Sequence, residues 1–250
     1  MKPNAFSWRI LATAACLAAL APAAPFASTA ARAAEAAQPN NLNAADILRA
    51  VREAQAGKRQ TLRGQLRTSD GKIFPFLLTS DGPRIRYQFQ PPAPAETVQV
   101  RLNDENSQLE EISNGGNSER LTPANFDKKV LGTDLAYEDL ALRFLYWSRA
   151  RISDEETIKT RRAWKLRLDA PGRRSQYSTV LLWVDKESGA LLRAEGYDEA
   201  GQLVKKFEVV SAQKIDGAWY LKQMRIETVD PANDGRVKSR TYLEIKDVVR

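Results

Sequence analysis

The chain has 250 residues, 43% hydrophobic and 28% charged, which is the balance of a globular protein of one domain or at most two and excludes a disordered or fibrous one. It has no histidine and a single cysteine, so Ser-His-Asp and Cys-His catalysis, imidazole proton shuttling and His-ligated zinc are excluded. The formal net charge of +7 is accompanied by no nucleic-acid-reading motif.

The first 34 residues read as a secretory signal peptide. Lys2 and Arg9 precede the apolar run 10–20, and Ala31-Arg32-Ala33 fits a small-residue cleavage site. The run is too short to cross a bilayer, which takes about 20 residues. A lipid-modified Cys16 is disfavoured because Thr13 stands where lipoprotein signals usually carry Leu. The expected mature chain, 35–250, is therefore a single exported domain in an oxidising space, without cysteine or a transmembrane anchor. Without Lys2, Arg9 and Arg32 its net charge falls to +4. The basic pairs Lys128-Lys129, Arg161-Arg162 and Arg173-Arg174 could meet anionic head groups or an acidic partner, but solvated loops are the better explanation.

After a polar lead-in, Asn43 caps a helix over 44–56 with Ile47, Val51 and Ala54 on one face and Gly57 past its end. The period then changes from 3.6 to 2. Strands are predicted at 61–68, 73–79, 84–90, 98–102 and, more weakly, up to 113, joined by turns at 69–71, 81–83 and 103–106. Pro75 suggests an edge or a bulge. Ile85, Tyr87 and Phe89 share one strand face against Arg84, Arg86 and Gln88. Residues 114–123 read as loop.

Residues 130–147 break the pattern. Tyr137, Leu140, Ala141, Phe144 and Trp147 fall at i, i+3, i+4, i+7 and i+10, the stripe of an amphipathic helix that must cover something apolar. Strands then resume. Trp164, Leu166 and Leu168 alternate with charged residues, and 179–184, with Trp183, is apolar on both faces, as in a strand covered on two sides. Further strands carry Leu192 to Tyr197, Leu203 to Val209, Tyr220, Met224 and Ile226, and finally Val237 to Ile245.

About ten or eleven strands with hairpin connections, and no helix between successive strands, exclude a parallel α/β sheet. Such a sheet presents roughly thirty inward apolar side chains, whereas two short helices supply far fewer. Either it doubles on itself as a barrel or sandwich, or it curls around a hydrophobic hollow. Periodicity leaves that choice open.

Chemistry finds little support. Glu110-Glu111 and Asp154-Glu155-Glu156 could in principle form a glycosidase-type carboxylate pair, yet acids of this kind are common on solvated strand faces. The run 103–106 has oxygen ligands suited to calcium but lacks the full loop pattern, and a hairpin turn accounts for it. No metal, cofactor or phosphate-cradling loop is expected.

Residues 131–140, LGTDLAYEDL, resemble the SDFSYEDL-type signature of the LolA-like outer-membrane lipoprotein-sorting family. The pieces LWVD at 182–185, RAEGYDEAGQLVK at 193–205, IDGAW at 215–219 and TYL at 241–243 agree with it in kind and order. The resemblance covers most of 60–250. It implies a mainly β fold, a curved, unclosed antiparallel half-barrel of about 10–11 strands with helices over its concave face, and so favours the hollow. It further implies a periplasmic carrier, not an enzyme, that takes lipoprotein acyl chains or free lipid from an inner-membrane donor to an outer-membrane acceptor. Tyr137, Leu140, Phe144, Trp147, Tyr87, Phe89, Trp183 and Met224 are the expected ligand-binding residues. Where the family usually has Ser or Thr this chain has Ala136, which leaves Asp134 as the expected cap of the helix. A sensor or interaction module on the same fold, and a carboxylate hydrolase, are the alternative readings.

Overall fold

The computed structural model describes residues 42–56, 59–91, 96–103, 105–113, 116–233 and 235–249. The signal-peptide reading, with Cys16, lies outside them. Among the described residues no helix is long and apolar enough to cross a membrane.

The chain opens with helix α1 (Ala44–Ala56). Asn43 Oδ1 accepts the Asp46 N–H at 2.9 Å, so the predicted cap is made. Ala44, Ile47, Leu48 and Val51 form its buried face. Six strands follow: β1 (Arg59–Thr68), β2 (Ile73–Asp81), β3 (Arg84–Phe89), β4 (Thr97–Leu102), β5 (Ser107–Ile112) and β6 (Ser118–Arg120). After residues 121–148, which hold only the four-residue helix α2 (Tyr137–Leu140) and three 3₁₀ turns, come β7 (Arg149–Ile158), β8 (Arg161–Asp169), β9 (Thr179–Asp185), β10 (Leu191–Tyr197), β11 (Leu203–Ile215), β12 (Ala218–Asp230) and β13 (Arg236–Val249).

All thirteen strands form one antiparallel sheet in the order β6-β5-β4-β3-β2-β1-β13-β12-β11-β10-β9-β8-β7. Two hairpin meanders, β1 to β6 and β7 to β13, are zipped together where β1 pairs with β13. Strands β6 and β7 form the two edges, so the sheet is not closed. This order fixes the path of 121–148. The chain leaves one edge and must enter the other, which in a flat sheet would lie roughly 58 Å away at about 4.8 Å per strand. Curling shortens the trip, and the segment runs across the concave side as a strap.

Two strands exceed the sequence expectation. The short β6 falls in the segment read as loop. The missed β7 is almost wholly exposed, with Ile158 its one buried residue, so alternation could not announce it. Pro75, read as an edge or bulge signal, is inside the sheet. Its carbonyl accepts the Gln90 N–H at 2.9 Å just past the end of β3, where the missing proline N–H leaves the reciprocal bond unmade and the ladder ends.

The continuous helix expected over 130–147 is broken. Val130 N–H donates to Leu135 O and Lys129 bridges Ala136, which closes 130–135 into a tight loop. That loop needs left-handed backbone at Leu131 (φ 50°) and Gly132 (φ 72°), and Leu142 (φ 45°) separates α2 from the Arg143–Tyr146 turn. A straight helix cannot hold such residues. The apolar stripe is therefore spread along a bent strap.

Candidate functional site

The strap and α1 cover the concave face without filling it. Between them lies an apolar cavity of ≈ 230 Å³. The strap contributes Leu135, Leu140, Ala141 and Leu142, and α1 contributes Val51 and Ala54. The sheet supplies Leu78, Ile85, Tyr87, Phe207, Met224, Leu243 and Ile245 among others. A smaller cavity of ≈ 40 Å³ adjoins it, lined by Phe144, Leu182 and Ala194 and sharing Leu142, Leu191, Phe207 and Met224 with the larger one. Arg52 of α1 donates to Leu145 O at 2.6 Å and lies over the Tyr146 ring, tying the two covering elements together.

The expected ligand-binding residues divide into four groups. Tyr87, Leu140 and Met224 line the main cavity. Phe144 lines the smaller one. Tyr137, Phe89 and Trp147 are buried in the same core but stand outside both walls. Tyr137 donates its hydroxyl to Glu96, and Phe89 packs edge-on against Phe76 at 6.0 Å. Trp183 is a correction. On β9 the concave side belongs to Val180, Leu182 and Val184, and by strand alternation Trp183 lies on the opposite face in a separate cluster with Ile158, Ala163 and Leu192. Its indole N–H donates to Glu156 Oε2 at 2.8 Å, between Lys165 and Arg193.

The carboxylates of the signature hold the strap down. Asp134 is no helix cap: its buried carboxylate accepts the hydroxyls of Thr228 (2.6 Å), Thr241 (2.8 Å) and Ser239, and its N–H donates to Thr241 Oγ1. Asp139 takes the capping role by accepting the Ala136 N–H at 2.8 Å. The same carboxylate accepts Lys205 Nζ at 2.9 Å and the Tyr177 hydroxyl at 2.7 Å. Glu138 Oε1 accepts Ser175 Oγ at 2.9 Å and the Gln176 N–H at 3.3 Å, but its buried Oε2 has no partner among the described residues. Burial, and then the neighbouring Asp139 charge, push the Glu138 carboxyl up to about 7.

The other acids singled out in the sequence are ordinary surface partners. Glu110 accepts from Gln99, Arg101 and Ser118, while Glu155 and Glu156 pair with Lys186 and Lys165. Asn103 Oδ1 accepts the Glu105 and Asn106 N–H groups, as expected of a hairpin turn. Among the described residues no group of three or more acids or cysteines is placed to hold a metal.

A family model described as "Uncharacterized protein" matches residues 113–249, more than half the chain. The chain belongs to that family. A solved LolA superfamily protein from Nitrosomonas europaea superposes with a TM-score of 0.62 at 19% identity, covering 83% of this chain and 93% of that one. A putative outer membrane lipoprotein-sorting protein domain from Vibrio parahaemolyticus gives 0.63 at 17% identity, covering 79% and 88%. A DUF1329 family protein from Desulfovibrio piger gives 0.60 at 22% identity, covering 82% and 90%. No curated protein sequence matches the chain. At these identities the neighbours share the LolA-like fold, and the signature read at 131–140 occupies the strap over its concave face.

Proposed function

We propose that this LolA-like protein is a periplasmic carrier that holds acyl chains, of a lipoprotein or of free lipid, between strap and sheet and passes them on without covalent chemistry. The supporting observation is the unfilled apolar cavity. A well-packed core leaves few voids larger than a water, yet here ≈ 230 Å³ stays open between Leu140 and Ala141 on one side and Tyr87 and Met224 on the other. That is below the roughly 300–1,000 Å³ of ordinary ligand pockets, so a full acyl chain enters by displacing part of the strap. The driving force is burial at about 25 cal/mol per Å² of apolar surface. Ligand contacts replace strap-to-sheet contacts, which keeps the cost of opening low.

Leu140, Met224, Tyr87 and Phe144 are the proposed contact residues. Native mass spectrometry of the protein, followed by solvent extraction, tests the reading. Co-purifying lipid, or stoichiometric uptake of a fatty-acid probe that is lost in Leu140→Asp, is the expected result. A protein that emerges empty and takes up no probe refutes it.

A further inference from the structure

The strap has a second side. The basic pairs Lys128-Lys129 and Arg173-Arg174 are over forty positions apart in the chain, yet both lie beside α2. The Lys128 carbonyl accepts the Tyr137 N–H at 3.1 Å, and Lys129 bridges Ala136. Ser175, next to Arg174, donates to Glu138. Arg143, two residues beyond Ala141 of the cavity wall, lies over the Phe126 ring at 4.0 Å. Its guanidinium is held below its ordinary value by burial, with Glu138 raising it and the nearby Arg120 charge lowering it again.

Arg120, Lys128, Lys129 and Arg174 are exposed, and neither they nor Arg143 forms an ion pair among the described residues, whereas Arg173 is paired with Glu199 at 3.2 Å. The exposed acids on the same stretch, Glu119 and Asp127, are too few to balance them. Four exposed cations without an ion-pair partner thus gather around one segment whose inner side walls the apolar cavity, with the half-buried Arg143 behind them.

We propose that the outer side of the strap docks on an anionic membrane surface, so that the cavity's cover is the part of the protein that meets the bilayer. This rests on the carrier reading, since acyl cargo leaves one bilayer and enters another. A fluid array of anionic head groups attracts exposed lysines spread over several segments without needing a matching shape. A shape-matched protein interface, by contrast, is depleted of lysine. The attraction falls off within a Debye length, so salt weakens it.

Co-sedimentation with phosphatidylcholine vesicles, with and without phosphatidylglycerol, is the test. Binding is expected only with phosphatidylglycerol and should be lost in high salt. Each surface lysine contributes about fivefold in affinity, so Lys128→Ser with Lys129→Ser should weaken binding by roughly thirtyfold. The same change elsewhere, Lys222→Ser with Lys238→Ser, should have far less effect. Equal binding to neutral vesicles, equal loss in both double variants, or retention by an acidic protein surface but not by vesicles overturns the proposal. Fatty-acid uptake in solution is measured on the same samples. Uptake that fails while charge-dependent docking persists refutes the carrier and leaves the docking surface standing.

Discussion

Asp139 on the strap and Lys205 on β11 meet at 2.9 Å with side-chain exposures of 0% and 7%. Desolvating both ions is expensive, and the pair is viable because Asp139 also accepts the Ala136 N–H and the Tyr177 hydroxyl. Removing one partner exposes the full cost. Lys205→Met leaves the Asp139 carboxylate buried beside Glu138 with no cation, and should lower stability by about 3–5 kcal/mol. Urea unfolding of the variant gives the value, and a loss below about 1 kcal/mol would mean that water reaches Asp139.

Glu138 makes the strap sensitive to pH. Its carboxyl stands near 7 in the folded protein against an ordinary 4.5. A raised value stabilises the docked strap fully below about pH 4.5 and ceases to do so as pH rises through about 7. At one pKa unit per 1.36 kcal/mol, the docked state should weaken by on the order of 3 kcal/mol across that window. Glu96, raised by burial and partly offset by its bond from Tyr137, acts in the same direction. Glu138→Gln keeps an acceptor for Ser175 and stays neutral, so the difference in urea midpoint between wild type and variant isolates this group. Parallel pH profiles from 5 to 8 would rule it out.

The strands that position the site were legible where one face is buried and the other wet. Ile85, Tyr87 and Phe89 alternate plainly, and of the residues their pattern turns inward Tyr87 lines the main cavity, as Met224 does. Trp183 was misplaced because β9 is covered on both faces, and alternation without polar partners cannot say which side is concave. The break of the strap at Leu142 left no mark in the sequence, since leucine is an ordinary helix residue and its left-handed backbone is imposed by the crossing. Asp139, Tyr177 and Lys205 were equally hidden. A buried ion pair joining residues sixty-six positions apart follows from topology, and no local pattern reports it. The signature at 131–140 falls on the strap, but Asp134, the expected cap, is bonded to Thr228, Ser239 and Thr241 instead, and Asp139 caps α2.

Tyr177 depends on a missing side chain. Its ring lies across Gly196 of β10, where an added Cβ would come within 2.4 Å of Cδ1 and Cε1. The ring cannot swing aside, because it is 2% exposed and its hydroxyl is bonded to Asp139. Gly196→Ala should therefore cost about 1–3 kcal/mol through overpacking and disturb the Lys205 site with it. Adding Tyr177→Leu to Gly196→Ala should recover part of that loss, which thermal unfolding of the single and double variants would show. If Gly196→Ala is neutral, the ring is free to move.

Leu142 is the wall between the two cavities and is held in left-handed backbone at φ 45°. That conformation costs a leucine roughly 1–2 kcal/mol, and the contacts of its side chain with both cavities offset it. Leu142→Gly separates the two effects. The backbone strain disappears, while the ≈ 230 Å³ and ≈ 40 Å³ spaces merge and the lost packing costs about 2–5 kcal/mol, so a net destabilisation of a few kcal/mol is expected. Ligand binding should move the opposite way. A longer hollow admits more of an acyl chain, and each additional buried methylene contributes about 0.8 kcal/mol. In a series of fatty acids of increasing length, the wild type should stop gaining affinity at a shorter chain than Leu142→Gly, with a saturated ligand recovering much of the variant's lost thermal stability. The same chain-length limit in both proteins would place the bound chain away from Leu142, and with it the opening of the cavity.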